Sequence, residues 1–173
     1  MLETQVDMKF VLLFVLIGSS TALFAQKDTL QPAYKRFPVI PGLQLFLSDS
    51  SKYTKENLPK DKQVLLMLFN PDCEHCQDKA VQIVAHKEEL QDTHIIMATT
   101  SLISRMTEFA EKYGLTKMEN VVMAKDPFYI LPSFYAIRYF PFLALYDKKG
   151  ALIRTFEGSV DINKVLKAYR SAR

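Results

Sequence analysis

Short apolar runs along the chain predict alternating strands and helices. Residues 64–69 (VLLMLF) form a continuous apolar run, as in a strand buried on both faces of a parallel sheet. Residues 93–101 (THIIMATTS) predict a second buried strand, and residues 76–90 (CQDKAVQIVAHKEEL) predict a helix with one buried side. The order strand, helix, strand requires a right-handed parallel crossover.

Two later segments have the periodicity of amphipathic helices. Residues 104–114 (SRMTEFAEKYG) repeat apolar side chains at i, i+3, i+4 and i+7, and we expect Ser104 to cap this helix and Gly114 to end it. The last helix of the chain has the same spacing, with either Ser159 or Asp161 as its cap.

The remaining apolar segments predict the rest of a sheet. Residues 43–48 (LQLFLS) favour an edge strand, and the polar residues 48–63 that follow favour a loop. Residues 142–156 (FLALYDKKGALIRTF) predict a β-hairpin around the turn at 147–150. The predicted fold is therefore α/β: a mixed sheet, built from a parallel βαβ unit and a C-terminal β-hairpin, with helices on both faces.

The N-terminus has the layout of a secretory signal peptide. Residues 8–26 (MKFVLLFVLIGSSTALFAQ) contain one lysine, an apolar run and then small residues, and we expect cleavage after Ala25. The alternative is an uncleaved N-terminal membrane anchor. We therefore predict a signal peptide at 1–25, an N-terminal arm and edge strand at 26–59, and the main domain at 60–173. The expected location is the periplasm or another exported compartment.

Composition and charge exclude some classes of partner. The 173 residues include 22 basic and 19 acidic side chains, for a net charge of +3. These charges are interleaved and form no basic stripe, so we expect no nucleic-acid partner.

The chain has two cysteines, Cys73 and Cys76, between the first buried strand and the helix that follows it. Cys73 is predicted at the helix N-terminus, where unpaired N–H groups and the positive end of the helix dipole stabilise a thiolate. Protonated His75 would add to this effect, and Glu74 falls in the same turn. Cys76 is predicted to be buried, so Cys73 would attack a disulfide and Cys76 would resolve the mixed disulfide.

Three other uses of the cysteines are less favoured. A structural disulfide between Cys73 and Cys76 would close a very small loop and constrain the unfolded chain little. Zinc would need further ligands from His75, His86 or His94, but there is no second CxxC and the adjacent His75 cannot easily join a tetrahedron. A covalent haem needs a histidine directly after the second cysteine, where this chain has glutamine. We predict neither a metal nor a cofactor.

With these motifs the chain resembles the thioredoxin superfamily over roughly residues 60–171, and most of all the exported TlpA/ResA-like thiol–disulfide oxidoreductases. The resemblance rests on Cys73-Glu74-His75-Cys76, on residues 135–150 (YAIRYFPFLALYDKKG) and on Gly158. It implies that Pro141 is a cis-proline facing the cysteines and that the backbone of Phe140 binds an extended substrate segment. It also implies protein thiol and disulfide clients and a membrane-borne electron donor.

The chain departs from the family pattern at several positions. Asp72 replaces the aromatic residue usual before the first cysteine, and we interpret it as a helix cap. Met67 falls where thioredoxin keeps a buried acid, and Glu74 or Glu157 could substitute for that acid. The thioredoxin-like peroxidases need a threonine at the position of Asn70, which makes peroxidase chemistry a minor alternative.

The predicted function is that of an exported thiol–disulfide oxidoreductase that reduces protein disulfides. The alternatives are a disulfide oxidase or isomerase, and a thioredoxin-fold binding or chaperone-like module. The aromatic-rich residues 127–140 bear on the last alternative. Their density favours core packing, but an exposed aromatic rim beside the proline would receive a partner protein.

Overall fold

A mixed sheet of seven strands organises residues 31–171, the part of the chain that our computed structural model describes. The strands lie side by side in the order β2-β1-β5-β4-β3-β6-β7. Strands β3, β4 and β5 are parallel, and the other neighbouring pairs are antiparallel. In chain order they are β1 (Leu45–Phe46), β2 (Lys52–Tyr53), β3 (Gln63–Leu68), β4 (Thr93–Thr99), β5 (Val121–Lys125), β6 (Phe142–Tyr146) and β7 (Leu152–Glu157).

Helices connect the strands and cover the sheet. In chain order they are α1 (Ala33–Arg36), α2 (Glu74–Ala85), α3 (Lys87–Leu90), α4 (Ile103–Lys112), α5 (Ile130–Tyr135) and α6 (Ile162–Arg170), with short 3₁₀ helices at Lys55–Asn57 and Leu115–Lys117. No helix among residues 31–171 is long and apolar enough to cross a membrane. The predicted signal peptide at 1–25 lies outside the described residues.

The sheet has an apolar core on each face. Successive residues of β3 supply the two cores in turn: Leu65 joins side chains from α2, α4 and α6, whereas Leu66 joins side chains from α5. All six residues of β3 are consequently buried. Burying a large apolar side chain contributes about 1.5–3 kcal/mol. The predicted fold class, with helices on both faces of a mixed sheet, is confirmed.

The predicted helix boundaries are only partly correct. The helix expected at 76–90 is two helices, because His86 leaves helical geometry between α2 and α3. Ser104 does not cap α4, which begins one residue earlier with Leu102 in the capping position. Gly114 follows the end of α4 in the left-handed conformation, with φ +73°, as expected of a glycine at a helix end. Asp161 is the cap of α6 and accepts the Asn163 backbone N–H at 2.9 Å.

Three strand predictions need correction. Residues 43–48 supply β1, but β1 is not an edge, because it pairs with both β2 and β5. Strand β2 is the edge, in a segment that its polar residues predict to be a loop. Strand β5 has no counterpart in the prediction, although residues 121–124 (VVMA) are a short apolar run; four of its five residues are only partly buried.

The N-terminal segment also reaches the opposite edge of the sheet, where β7 lies. The Leu152 backbone N–H donates to the Pro38 carbonyl at 2.8 Å, and the Ile40 N–H donates to the Gly150 carbonyl at 3.1 Å. Residues from 38 to 53 therefore contact the turn before β7 and also form the β1–β2 edge.

Candidate active site

A tight turn between β3 and α2 positions the first cysteine. The Phe69 N–H still donates to the Ala98 carbonyl at 3.0 Å and extends the pairing with β4. The Asn70 side-chain oxygen then accepts the Asp72 N–H at 3.0 Å, and the Asn70 carbonyl accepts the Cys73 N–H at 3.1 Å. This turn places Cys73 at the N-terminal cap of α2, as predicted. The bracing by Asn70 was not predicted, although asparagine is typical of such turns.

Cys73 and Cys76 are both free thiols in very different surroundings. Cys73 is partly exposed, and its Sγ donates to the Phe140 carbonyl oxygen at 3.8 Å. Cys76 is fully buried in the apolar core between α2 and the sheet. Burial raises the pKa of the Cys76 thiol well above its usual value, a backbone hydrogen bond with Asn70 opposes this, and the neighbouring Cys73 sulfur adds to it.

The segment that faces Cys73 contains a cis peptide bond between Phe140 and Pro141, as expected from the resemblance. Pro141 is buried, and the Phe140 ring packs between the two apolar cores. The Gly158 N–H donates to the Pro141 carbonyl at 2.9 Å, and Gly158 has φ +75°, which glycine adopts without strain. The roles of Phe140 and Pro141 in substrate binding stay predictions.

The structure corrects one prediction about the charged residues around the cysteines. Asp72 does not cap α2, since Cys73 is the capping residue; its carboxylate forms an ion pair with the Arg105 guanidinium on α4. Arg105 was not predicted, because only the tertiary fold brings α4 to this turn. Glu74 and His75 are exposed in the first turn of α2, and their tuning of Cys73 stays a prediction.

Lys79 is an unexpected buried charge on α2. Only 2% of this residue is exposed, and its Nζ donates to the Val160 carbonyl and, at 2.7 Å, to the Gln82 side-chain oxygen. Burial lowers the pKa of Lys79, an effect that Asp161 and Asp78 oppose. Lys79 thus fastens α2 to the segment that leads from β7 into α6.

The two candidate substitutes for the buried acid of thioredoxin are placed differently. Met67 lies inside the apolar core, so β3 offers no carboxyl group at that position. Glu74 is exposed on α2. Glu157 lies at the end of β7, where its Oε1 accepts the Tyr139 backbone N–H at 2.8 Å and also that of Arg138.

The other histidines have partners of their own. His86 Nδ1 lies 2.9 Å from the Gln82 carbonyl oxygen, and His94 Nε2 lies 2.6 Å from the Tyr53 hydroxyl. In residues 31–171 no group of three or more histidine, cysteine or acidic side chains is arranged to hold a metal ion.

The aromatic-rich segment divides between core and surface. Leu131 and Tyr135 are buried against the sheet, and the Tyr135 hydroxyl bonds to the Tyr146 hydroxyl. Phe128 and Tyr129 lie on the surface, 60% and 58% exposed, and Tyr139, next to the cis peptide, is 68% exposed. The core interpretation therefore holds for Leu131 and Tyr135, and the role of the exposed aromatic residues in receiving a partner stays a prediction.

Comparison with known proteins adds evidence about the fold alone. No protein-family model matches the sequence, and a search of curated proteins found no match. Solved structures do match. A secreted Mycobacterium tuberculosis disulfide oxidoreductase homologous to E. coli DsbE is 14% identical with a TM-score of 0.63, over 75% of this chain and 96% of its own.

Two further structures show how broad the likeness is. The exposed lipoprotein thioredoxin Etrx1 of Streptococcus pneumoniae is 21% identical with a TM-score of 0.59, over 76% of this chain and 99% of its own. The peroxidoxin BcpB of M. tuberculosis is 12% identical with a TM-score of 0.66, over 78% of this chain and 96% of its own. At such identities the likeness shows a thioredoxin-like fold and does not choose between these activities.

The fold and the site together define a class of structure. The chain has a thioredoxin-like fold that carries a CxxC pair at the start of a helix, next to a cis-proline segment.

Proposed function

We propose that this protein is an exported thiol–disulfide oxidoreductase that reduces protein disulfides through Cys73 and Cys76. The observation that carries the proposal is the asymmetry of the pair. Cys73 is partly exposed at a helix N-terminus and faces the cis-proline segment, whereas Cys76 is buried behind it. A structural disulfide would need no such asymmetry.

The chemistry proceeds in two exchanges. The Cys73 thiolate attacks one sulfur of a substrate disulfide, a Cys73–substrate bond forms, and the other substrate sulfur leaves as a thiolate that takes up a proton. Cys76 then loses its proton and attacks the Cys73 sulfur, which releases the second substrate thiol. Two electrons pass from the protein to the substrate, and a Cys73–Cys76 disulfide remains.

The surroundings of each sulfur suit its step. The N-terminus of α2 favours the thiolate form of Cys73, and Glu74 and His75 in the same turn are proposed to tune it. Because burial raises the pKa of Cys76, this thiol stays protonated until the mixed disulfide brings a target sulfur next to it. Phe140 and Pro141 are proposed to receive the substrate backbone.

Export and the electron source extend the proposal. The signal-peptide pattern at 1–25 supports export, and an uncleaved anchor is the alternative. The similar structures include those of a secreted oxidoreductase and of an exposed lipoprotein thioredoxin, which agrees with export. An exported dithiol has no access to soluble cytosolic reductases, so a membrane-borne donor would restore it.

Turnover of a protein disulfide tests the function. With dithiothreitol as reductant, the purified protein is expected to accelerate reduction of insulin disulfides, and Cys73→Ser is expected to return the rate to that of dithiothreitol alone. Unchanged turnover in Cys73→Ser would remove that residue from the mechanism. Equilibration with glutathione then gives the reduction potential: a low value supports a reductase, and a high value supports an oxidase or isomerase.

The exposed aromatic residues favour a second candidate function, that of a binding or chaperone-like module. Phe128, Tyr129 and Tyr139 offer apolar surface that can contact an unfolded client. This function predicts suppression of client aggregation that persists after both thiols are alkylated. Loss of that effect on alkylation would favour the oxidoreductase.

A further inference from the structure

Glu157 connects the end of β7 to the segment that faces Cys73. It is the last residue of β7 and pairs in register with Phe142, the first residue of β6. Its carboxylate reaches past the start of β6 and accepts two consecutive backbone N–H groups, those of Arg138 and Tyr139. Hydrogen bonds to an ionised carboxylate are stronger than those between neutral groups.

The end of β7 therefore holds both sides of Phe140. Glu157 anchors the two residues before Phe140, and the Gly158 N–H anchors the residue after it through the 2.9 Å bond to the Pro141 carbonyl. Between these anchors, the Phe140 carbonyl oxygen lies 3.8 Å from Cys73 Sγ. The position of Phe140 relative to the sulfur thus depends on the last residue of β7 and on the glycine that follows.

We propose that Glu157 is a positioning residue that fixes the Phe140 backbone opposite Cys73 and so controls the docking of a protein disulfide; this inference rests on the proposed function. It assigns Glu157 a different part from that of proton acceptor for Cys76. Its Oε1 accepts two N–H groups, and both of those groups belong to the segment that leads into the proposed substrate-binding residues.

Two substitutions at Glu157 separate positioning from proton transfer. Glu157→Ala removes both bonds, and we expect kcat/KM for insulin to fall about tenfold, mainly through KM. In Glu157→Gln the amide oxygen can accept the same bonds without charge, so kcat/KM should stay within about threefold of the wild type. Glu119→Gln is the matched control, since Glu119 is exposed just before β5, and three strands separate β5 from β7.

Amide hydrogen exchange provides a readout besides activity. In Glu157→Ala the Tyr139 N–H loses its acceptor, so its exchange should accelerate about tenfold, while Glu157→Gln and Glu119→Gln should change it little. The thermal midpoint of each variant shows whether it remains folded under the assay conditions. A small reagent such as iodoacetamide should alkylate Cys73 at similar rates in all variants, because it needs no docking segment.

The outcomes distinguish the two proposals. Unchanged exchange and turnover in Glu157→Ala would overturn the positioning role. Equal losses in Glu157→Gln and Glu157→Ala, with a shifted pH profile of kcat, would assign Glu157 to proton transfer instead. If the wild-type protein fails to reduce insulin while Tyr139 exchange still responds to Glu157→Ala, the proposed oxidoreductase function and the docking role of Glu157 are both wrong. Only the structural role of Glu157, as acceptor of the two backbone N–H groups, would then be supported.

Discussion

Cys73 and Cys76 lie within one helical turn at the start of α2, yet Cys73 lies near the protein surface and Cys76 lies in the apolar core. Cys73 caps the helix, is partly exposed and contacts a loop carbonyl, whereas Cys76 packs against residues of the sheet and of α2. The side chain of a capping residue lies beyond the helix, while the third residue inside can point back to the sheet. One helical turn therefore separates a thiol open to a substrate from one shielded from it.

The two surroundings also differ in how they are built. Cys73 packs against the apolar cluster only as a partly buried residue, and it also lies beside a turn and a loop held by single hydrogen bonds, such as the one that the Asp72 N–H donates to the Asn70 side-chain oxygen. The neighbours of Cys76 belong to an apolar cluster that spans α2 and several strands. Changes near Cys73 should therefore alter chemistry at little cost in stability, and changes at Cys76 should alter both.

The largest expected effect comes from removing the buried thiol. Cys76→Ser should reduce insulin turnover to background, because the mixed disulfide on Cys73 can no longer be resolved internally. Mass spectrometry of the reaction with a disulfide peptide should show a covalent adduct of one peptide thiol per protein. Cys73→Ser should form no adduct; an adduct on Cys76 in that variant would reverse the assignment of the two roles.

Alkylation compares the thiols without any substrate. The raised pKa of Cys76 lowers its thiolate fraction at neutral pH, about tenfold for each unit, and burial also blocks the reagent. In the reduced folded protein at pH 7, iodoacetamide should modify Cys73 at least about a hundredfold faster than Cys76. Peptide mapping measures the two rates, and the difference should disappear in denaturant. Equal rates in the folded protein would contradict the asymmetry.

The two cysteines should also differ, by a smaller effect, in how much each contributes to the free energy of unfolding. Cys76→Ser places a hydroxyl in the apolar core and should lower the unfolding free energy by about 1–3 kcal/mol. Cys73→Ser replaces a partly exposed thiol and should change it by less than about 0.5 kcal/mol. Denaturant unfolding of both variants under reducing conditions gives the two values. A larger loss for Cys73→Ser than for Cys76→Ser would show that the turn, and not the core, limits stability.

The smallest expected effect concerns His94, a partly buried titratable residue away from the cysteines. Burial, and then the charge of Lys62, lowers the pKa of His94 below its usual value of about 6.5. Below pH 6.5 the unfolded chain binds a proton that folded His94 resists, so stability should fall as the pH drops from 6.5 toward the folded pKa. Above 6.5 this contribution should be constant.

His94→Gln should flatten this pH dependence, as measured by denaturant unfolding between pH 5 and pH 7. An unaltered slope in His94→Gln would assign the acid sensitivity to other groups.

Local pattern in the sequence was sufficient for the elements that frame the site. Side-chain periodicity and backbone preferences act over a few residues. They were therefore enough to predict the apolar run of β3, the cysteines at the start of α2, the hairpin and the proline before it. The polar residues 48–63 misled the prediction for the same reason. They form β2 through pairing with β1, and composition does not record pairing.

What the sequence by itself determined is thus a CxxC pair at a helix start and a proline before a hairpin, in a mixed α/β sheet. The tertiary structure alone decided that the Phe140 carbonyl, 67 residues from Cys73, faces its sulfur, and that Arg105, 33 residues from Asp72, takes the carboxylate expected to cap α2. It also decided that Glu157 holds the Arg138 and Tyr139 N–H groups. These contacts depend on the strand order and register, which follow from packing the whole chain into two cores.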